Sequence, residues 1–288
     1  MLKDNDLENP DLFIPVSVVM CVYDGNKLNE LKVAVDSILN QTFTKYEFII
    51  VLDGVKREDI KSYLEDLKNS DERVKLIHLL ENKGAANAIN HAIKSAKGEF
   101  IVRMDADDVS HRKRVEKLVE YMQSNDDIDV SGSFIEEFSG SDPSKINKIR
   151  IYPTEHEAMK KYFAKSNPLG QGPSIFRRRF FEKAGYYPLF SPKNEDTLLW
   201  LSGFINDCKF SNLPEVLYSV RFNKGTGSRR IGLKKSFSDL VDRLRVIIDL
   251  NASWVNIIYA IGLFIVQSMP YPIYMYIRSI LIHRKSIK

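Results

Sequence analysis

Three carboxylates stand within four residues at Asp105, Asp107 and Asp108. They follow the apolar run 100–102 and Arg103, so we expect them at the carboxyl end of a buried strand, where open α/β sheets bind ligands. Neighbouring carboxylates repel one another unless a cation neutralises them, and oxygen ligands suit Mg²⁺ or Mn²⁺ that also binds phosphate oxygens. The cluster predicts a metal–diphosphate site; a solvated acidic turn at a helix start is the alternative.

Acidic side chains also stand where two other predicted elements end or begin. Asp53 closes the apolar run 48–52 and precedes Gly54, so it could contribute to the same sheet edge or could only form an Asp-Gly turn. Glu195 and Asp196 begin a helix that could hold a carboxylate rigidly. The alternative is that both are helix N-terminal acids, which the helix dipole favours.

Several other kinds of chemistry lack the residues they need. The five His residues are scattered, and none pairs at metal-ligand spacing. Cys21 and Cys208 belong to no CxxC pair, which excludes zinc and redox motifs and predicts reduced thiols in a cytosolic protein. Ser174 lies in no GxSxG elbow, and Gly84 is not part of a phosphate-binding Walker loop.

The elements that must position these acids alternate in the first half of the chain. Apolar periodicity predicts strands over 16–22, 48–52, 74–80 and 100–104, separated by helices over 28–39, 60–67 and 85–96. This order is typical of a parallel, doubly wound sheet. Gly98 is expected to end the third helix as a left-handed C-terminal glycine.

The second half is less regular. The pattern predicts helices over 115–122, 154–164 and 197–205, strands over 128–138 and 213–222, and a loop over 167–173. The 288 residues suffice for one large α/β domain and an appendage.

The C-terminal part of the chain is basic and apolar. Residues 221–288 contain twelve Lys and Arg but only three Asp and Glu, although the whole chain has a net charge of +4. Because the basic residues alternate with aliphatic runs, an anionic membrane surface is the expected partner rather than nucleic acid. Helical spacing predicts an amphipathic basic helix from Phe237, Leu240, Val241, Leu244, Ile247 and Ile248, with Lys234, Lys235, Arg243 and Arg245 beside them.

The last apolar stretch has three possible arrangements. Residues 254–282 carry one charge, Arg278, and are divided by Pro270 and Pro272. A membrane span needs about 20 apolar residues, so a shallow or re-entrant hairpin is favoured. One tilted span, or an apolar element docked on the catalytic domain or in a dimer, is the alternative.

Taken together, the motifs resemble the family 2 glycosyltransferases of the GT-A fold, and most of all the bacterial branch that builds exopolysaccharide, capsule and O-antigen. The matching blocks, in order, are 17–23, 37–43, 50–54, 82–90, 103–108 and 195–200. The chain departs from the family pattern at Arg112, at Gln171 and Gly172, and after Arg221, near the acceptor side or the loop that follows the acidic cluster.

The resemblance implies an α/β fold with a mostly parallel, Rossmann-like GT-A sheet flanked by helices and a C-terminal helical membrane-associating tail. The expected domains are a polar lead-in over 1–14, a catalytic domain over 15–228 and the tail over 229–288. Within the catalytic domain, 15–110 would bind the nucleotide and 111–228 the acceptor.

The resemblance also implies roles at the donor site. Asp107 would be the direct ligand of Mn²⁺ or Mg²⁺, and Asp105 would contact the ribose or a metal-bound water. Arg103 would contact the diphosphate or form a structural ion pair, and Asp108 would support the metal ligands or start the next helix. Asp53 would accept the N3–H of uracil or thymine. The remaining nucleotide-binding positions would be Val22, Tyr23, Asn82, Gly84 and Asn90.

Asp196 is then the expected catalytic base, with Glu195 orienting the acceptor or stabilising the helix start. The implied function is inverting, metal-dependent sugar transfer from a nucleotide-sugar donor, with UDP favoured, to a glycan on a polyprenyl diphosphate. The enzyme would act at the cytoplasmic face of the cell membrane, bound through 236–288. A nucleotidyltransferase and an inactive sugar-nucleotide-binding scaffold are the alternatives.

Overall fold

The computed structural model describes residues 15–140, 142–191, 194–222, 232–270 and 273. The predicted lead-in over 1–14 lies outside these residues. So do 223–231, where the predicted boundary between catalytic domain and tail falls, and nearly all of the chain after 270.

The first half forms the predicted alternation of strands and helices. The elements are β1 (Val16–Val22), α1 (Leu28–Leu39), β2 (Tyr46–Asp53), α2 (Glu58–Ser70), β3 (Val74–Leu79), α3 (Ala85–Ser95) and β4 (Phe100–Asp105). The strands pair in parallel in the order β3-β2-β1-β4. β1 and β2 are almost wholly buried, as parallel strands covered by helices on both faces should be.

Gly98 does not act as a left-handed C-terminal glycine. The helix α3 is followed by Ala96 in extended backbone, and Gly98 is not among the glycines with positive φ. Its N–H donates to the Ser17 hydroxyl at 2.8 Å. A Cβ at this position would lie 2.5 Å from the backbone nitrogen of Ser17, so the glycine allows the chain to approach β1 closely.

The second half adds antiparallel strands to the sheet. Its elements are β5 (Val109–Ser110), α4 (Arg114–Gln123), β6 (Val130–Phe138), β7 (Ile146–Arg150), α5 (His156–Phe163), β8 (Ile175–Arg177), α6 (Arg178–Ala184), α7 (Glu195–Ile205) and β9 (Phe210–Arg221). The sheet continues from β4 in the order β8-β6-β9-β5, and β7 pairs with β6. β8 runs antiparallel to both β4 and β6, whereas β6 and β9 are parallel.

The sheet is therefore mixed, and the expectation of a mostly parallel sheet holds only for its first half. The sequence pattern missed β5, β7, β8 and α6. β5 and β8 have two and three residues, too few to show a period. β7 is largely exposed and carries no apolar alternation.

Helices cover both faces of the sheet. Val102 and Met104 of β4 pack in the core beneath α1, α2 and α4. Ile101 faces the other core, which α3, α6 and α7 cover and which contains Phe176 stacked 5.6 Å from Trp200. Because side chains alternate along a strand, Arg103 and Asp105 point to the same side as Ile101, toward α3 and α7.

Two C-terminal helices, α8 (Leu233–Asp249) and α9 (Val255–Gln267), pack against one another, and α8 also contacts α7. The inward side of α8 is partly polar, because Ser236 and Asp242 are buried beside Val246 and Ile247. Apolar residues instead face outward: Leu233, Phe237, Val241 and Ile248 are 41–69% exposed. Of the predicted apolar stripe, Ile247 packs inward and Leu240 is partly buried.

No helix within the described residues is long and apolar enough to cross a bilayer. The predicted division of 254–282 at Pro270 and Pro272 falls at the end of the described chain.

Candidate active site

The acids predicted to meet at the sheet edge end neighbouring strands. Asp105 ends β4 and pairs in register with Cys21 of β1, whose other neighbour is Val51 of β2. Asp53 lies two residues after Val51 and therefore on the same face of the sheet. The carboxyl ends of β2 and β4 thus flank that of β1, and both acids lie on the side that α3 and α7 cover.

A cavity of about 510 Å³ opens between this edge, the loop 165–173 and the C-terminal helices. Asp105 and Asp108 line it from the strand end, and Asp196 lines it from the start of α7. The tail helices contribute residues to it, including Lys235 and Arg243. Strand-end acids and the distant Asp196 therefore share one cavity, whereas Asp53, Asp107 and Glu195 are not among its lining residues.

Asp105 is one of two partly exposed carboxylates of the acidic cluster, and its side chain is 37% exposed. Its Oδ1 accepts a hydrogen bond from Nη2 of the buried Arg103 at 2.9 Å. Burial alone would lower the pKa of Arg103, but the nearby Asp105 carboxylate raises it. Of the two roles expected for Arg103, the ion pair is formed, and its Nε finds no hydrogen-bond partner within the described residues.

Asp108 is buried and connects the acidic cluster to β9. Its Oδ1 accepts the backbone N–H of Arg221 at 2.8 Å. Burial, and then the charges of Asp107 and Asp105, raise the pKa of Asp108 well above its usual value. Of the two alternatives for Asp108, the helix start is wrong, because α4 begins six residues later. The Asp107 side chain is partly exposed, and its backbone carbonyl accepts Nε of Arg221.

Arg114 and Tyr218 hold the acidic cluster against the loop 165–173, and the sequence pattern predicted neither. Arg114 is fully buried and donates to the carbonyl oxygens of Arg103 and Gly172, each at 3.0 Å. Burial lowers the pKa of Arg114 to about 10. The Tyr218 hydroxyl accepts the N–H of Asp105 at 3.1 Å. A Cβ on Gly172 would lie 2.5 Å from that hydroxyl oxygen.

One sequence signal could have revealed Arg114. It stands four residues before Leu118, on the apolar stripe of α4, where a charged side chain must be buried and paired.

The Asp53 carboxylate is hydrogen-bonded to the loop before α3. Its two carboxylate oxygens accept the backbone N–H groups of Lys83 at 3.0 Å and Gly84 at 2.9 Å. Gly54 and Gly84 have φ values of +63° and +92°, and a Cβ on Gly54 would lie 2.2 Å from the Asn82 nitrogen. A carboxylate oxygen can accept a further hydrogen bond, so Asp53 fixes this loop and retains capacity for a base N–H.

Two of the expected nucleotide-binding residues face elsewhere. The Val22 side chain is fully buried in the core, so only its backbone can contact a base. The buried Asn90 amide bonds to both the carbonyl and the N–H of Tyr187, at 2.7 and 3.0 Å, and so positions that residue instead. Tyr23 is 38% exposed, with its ring folded over Gly25.

Asp196 is enclosed by protein, and the part of its surface that remains open faces the cavity. Oδ2 accepts the Asn167 amide at 3.0 Å, and Oδ1 accepts the Thr197 N–H at 2.7 Å. Burial raises the pKa of Asp196, while these two hydrogen bonds and the charges of Lys235 and Arg243 oppose the increase.

Glu195 lies next to Asp196 in the first turn of α7. Burial, followed by the charge of Asp196, raises its pKa to about 7, and Arg103 and Asp105 also contribute to its electrostatic environment. Unlike Asp196, Glu195 is not among the residues that line the cavity.

No set of three or more His, Cys, Asp or Glu side chains in the described part of the chain is arranged to hold a metal ion. A Mg²⁺ or Mn²⁺ ion that is shared with a substrate diphosphate needs only one or two protein carboxylates. The partly exposed Asp105 and Asp107 supply oxygen ligands of the right kind. The residues therefore fit a cation held jointly with substrate, rather than an all-protein site.

Comparison with known proteins gives consistent matches. Residues 17–185 match the Glycosyl transferase family 2 model. The chain is 34% identical over 224 residues to the O-antigen biosynthesis glycosyltransferase WbnJ of Escherichia coli, which covers 73% of this chain and 81% of that protein. It is 28% identical over 227 residues to the UDP-Gal:alpha-D-GlcNAc-diphosphoundecaprenol beta-1,3-galactosyltransferase of the same species, covering 78% and 80% of the two chains.

A solved structure shares the fold. The mannosyltransferase PcManGT from Pyrobaculum calidifontis, in complex with GDP-Man and Mn²⁺, superimposes with a TM-score of 0.59 at 16% identity, covering 92% of this chain and 79% of that one. The mixed sheet with flanking helices is accordingly a GT-A-like arrangement.

Proposed function

The chain belongs to the family 2 glycosyltransferases, and from this premise we propose that it transfers a sugar from a nucleoside-diphosphate donor to a glycan acceptor with inversion at the anomeric carbon. The single observation that carries this proposal is the cavity shared by Asp105 and Asp196. It offers one carboxylate at the sheet edge for the donor end and a second, on another element, for the acceptor.

Asp196 acts as the base in this proposal. It accepts the proton of the acceptor hydroxyl as that oxygen attacks the anomeric carbon, and the bond from this carbon to the diphosphate oxygen breaks with its electron pair. The acceptor must approach from the side opposite the leaving diphosphate, which accounts for inversion. The base is active when ionised, so turnover rises with pH through the raised pKa of Asp196.

Asp107 and Asp105 would hold Mn²⁺ or Mg²⁺ together with the donor diphosphate. When bound, the cation neutralises charge that develops on the leaving phosphate. The buried Arg103 keeps Asp105 oriented by its ion pair at 2.9 Å. The Mn²⁺ in the mannosyltransferase complex supports a divalent requirement here.

A uridine donor is favoured. Asp53, at the end of β2, can accept a base N–H in addition to its backbone hydrogen bonds, and the exposed Tyr23 ring stands at the end of β1 beside it. One relative is named for a UDP-galactose donor. A thymidine donor offers the same N3–H.

The proposed acceptor is a glycan carried on a polyprenyl diphosphate in surface polysaccharide assembly. One relative is named for a diphosphoundecaprenol acceptor and another for O-antigen biosynthesis. Such a carrier is confined to a membrane, so an enzyme bound at the cytoplasmic face would meet it at a high effective concentration.

Residues 236–288 would provide that membrane contact. Phe237, Val241 and Ile248 are exposed along α8, and α9 presents a second exposed apolar face with Trp254, Val255, Ile258, Ile261 and Ile265. Beside the α8–α9 turn lies a cavity of about 670 Å³ lined by Lys160, Lys161 and Lys165. Apolar side chains next to lysines match the boundary between acyl chains and anionic headgroups.

The proposed activity is tested by following nucleotide release from UDP-glucose, UDP-galactose, UDP-GlcNAc and dTDP-glucose. We expect release from at least one donor with Mn²⁺ and at least a hundredfold loss with EDTA or in Asp107→Ala. Asp127→Ala, which removes an acid elsewhere on the surface, is the matched control and should keep full activity. Undiminished release in EDTA would contradict the metal–diphosphate assignment, and no release from any donor would contradict the proposed reaction.

A further inference from the structure

We propose that helix α8 is part of the active site and not only a membrane tether. Asn167 is a positioning residue that fixes the orientation of the Asp196 carboxylate. Arg243 of α8 in turn holds the Asn167 amide in the orientation that this requires. This inference rests on the role of Asp196 as the base.

The amide of Asn167 makes three hydrogen bonds at this point. Its Nδ2 donates to Oδ2 of Asp196 at 3.0 Å. Its Oδ1 accepts the Thr197 hydroxyl at 3.1 Å and Nη2 of Arg243 at 3.5 Å. Turning the amide over would bring its oxygen against a carboxylate oxygen and its NH₂ group against the guanidinium. Two donors on one oxygen therefore keep the NH₂ group pointed at Asp196.

Arg243 is itself fixed by the end of α5. It donates to the carbonyl oxygen of Phe163, and its guanidinium carbon lies 5.7 Å from the centre of the Phe163 ring. A side chain held by a carbonyl, an aromatic ring and an amide can adopt few other conformations. A shift of α8 along its axis would therefore move the guanidinium group that contacts Asn167.

A second connection joins α8 to Asn194, the N-cap residue of α7. Asn194 is buried, and its Nδ2 donates to Oδ2 of Asp242 at 2.6 Å. Its Oδ1 accepts Nζ of Lys235 at 2.6 Å. Both partners belong to α8, and Asn194 directly precedes Glu195 and Asp196. Helix α8 therefore contacts the start of α7 in two ways, directly through Asn194 and indirectly through Asn167, which binds Asp196.

The orientation of α8 supports a function for its polar side. An amphipathic helix that served only for packing would bury its apolar stripe. Here Ser236 and Asp242 are buried beside Val246 and Ile247, whereas the apolar Phe237, Val241 and Ile248 are exposed. The inward polar groups line the cavity that contains Asp196. If the outer side binds lipid, as proposed above, the same helix connects the membrane surface to the base.

The electrostatic consequence has a definite sign. Burial raises the pKa of Asp196, and the Thr197 N–H, Lys235, Asn167 and Arg243 counteract it. Glu195 and Tyr187 are two further titratable groups that interact with this carboxyl. Removing Asn167 or Arg243 takes away stabilisation of the ionised form, so the carboxyl then ionises only at higher pH.

The test uses the full chain with four variants: Asn167→Ala, Arg243→Ala, Arg243→Lys and Arg245→Ala. Arg245 lies two residues further on α8 with an exposed side chain, so its variant controls for loss of charge from the helix. Carboxyl ionisation is followed by NMR of ¹³C-labelled aspartates in the absence of donor, and the Asp196 signal is identified by its loss in Asp196→Asn. Nucleotide release against pH is measured in parallel.

We expect the Asp196 midpoint to move up by about one pH unit in Asn167→Ala and in Arg243→Ala. Arg243→Lys should restore much of the wild-type value, and Arg245→Ala should match wild type. The acid limb of turnover should move by the same amount, with kcat lowered more than KM is raised. Thermal unfolding identifies any variant that fails to fold; if Asn167→Ala does, the Arg243 pair still decides.

An unchanged Asp196 midpoint in the folded Asn167 and Arg243 variants would overturn the inference, whatever the turnover. If the variants shift the Asp196 midpoint but even the wild-type protein releases no nucleotide, the proposed function is contradicted while the connection between α8 and Asp196 is supported. A shift of equal size in Arg245→Ala would also overturn it, because the effect would then be one of general charge.

Discussion

The carboxylates of Asp105 and Asp196 reach one cavity from different kinds of element, since the first ends a strand and the second begins a helix. Each is held by a neighbour of its own: Arg103 holds Asp105, and Asn167 holds Asp196. Rigid supports of this type are what catalysis requires of groups that must keep a fixed separation.

At the scale of single residues, Glu195→Gln should change how stability depends on pH. The pKa of Glu195 is raised from 4.5 to about 7 in the folded chain. Between these values the folded chain keeps a proton that the unfolded chain has lost, so the free energy of unfolding falls as pH rises. Gln carries no charge at any pH and should remove this fall.

The increase in the free energy of unfolding caused by Glu195→Gln should therefore be small at pH 4 and reach at most about 3 kcal/mol at pH 8. Urea unfolding of the metal-free protein across this range measures it. Wild-type and variant curves that run parallel over the whole range would show that the Glu195 carboxyl is not held in its neutral form.

The sequence motifs identified the acidic residues but not the residues that hold them in place. Asp53, Asp105 and Asp196 stand at element ends, and element ends can be found from apolar periodicity. Asn167, Arg114 and Tyr218 act through partners distant in the chain, such as Asn167 with Arg243 of α8. Nothing in their local pattern marks them, except that Arg114 occupies an apolar position of its helix.

At the scale of elements, Gly54 and the loop before α3 should be sensitive to an added methyl group. Gly54→Ala combines a positive φ of +63° with a Cβ 2.2 Å from the Asn82 nitrogen. We expect it to lower the free energy of unfolding by about 2–4 kcal/mol and to weaken nucleotide binding, because Asp53 would shift with the loop.

Gly140→Ala is the matched control for that substitution. Gly140 also has a positive φ, +79°, but no described atom outside its immediate chain neighbours lies within 4 Å of the place that an added methyl group would take. Its cost should be about 1 kcal/mol, that of the backbone conformation alone. Equal losses in the two variants, measured by urea unfolding, would show that the close approach to Asn82 does not matter.

The outward side of the C-terminal helices gives a prediction about lipid binding. Trp254, directly before α9, and Ile258 of α9 are 69% and 60% exposed. Replacing both with Ser should reduce binding to phosphatidylcholine vesicles that contain phosphatidylglycerol by about tenfold or more, because their transfer into the acyl region is lost.

Flotation of the protein with these vesicles measures that loss. Leu80→Ser removes an apolar side chain that is 96% exposed on the loop after β3, and should leave binding unchanged. Equal flotation of wild type and the Trp254/Ile258 double variant would rule out α9 as the membrane contact.

Elements with long apolar periods could be predicted from the sequence, and short or exposed ones could not. The first four strands and three helices were recognised within a few residues of their observed bounds. β8 has three residues and is buried by its neighbours rather than by its own pattern. The polar inward side of α8 was also unforeseen, because amphipathicity shows that a helix has two sides but not which one faces the protein.

At the scale of the whole molecule, the parallel half and the mixed half of the sheet are joined by β8 between β4 and β6. This arrangement brings the end of β4 next to β9, whose Tyr218 and Arg221 hold the acidic cluster. The C-terminal helices then close the remaining side of the cavity. The site thus depends on elements from nearly the full described length of the chain, which explains why no short segment could define it.

The most direct test of the account is the rate of nucleotide release by Asp196→Asn with saturating donor, acceptor and Mn²⁺. Asp207→Asn, just beyond the other end of α7 and exposed, is the control. We predict that Asp196→Asn lowers kcat by about 10²–10⁴-fold with donor affinity unchanged, while Asp207→Asn behaves as wild type. A folded Asp196→Asn variant with wild-type kcat would contradict the central claim that this carboxylate is the base of the shared cavity.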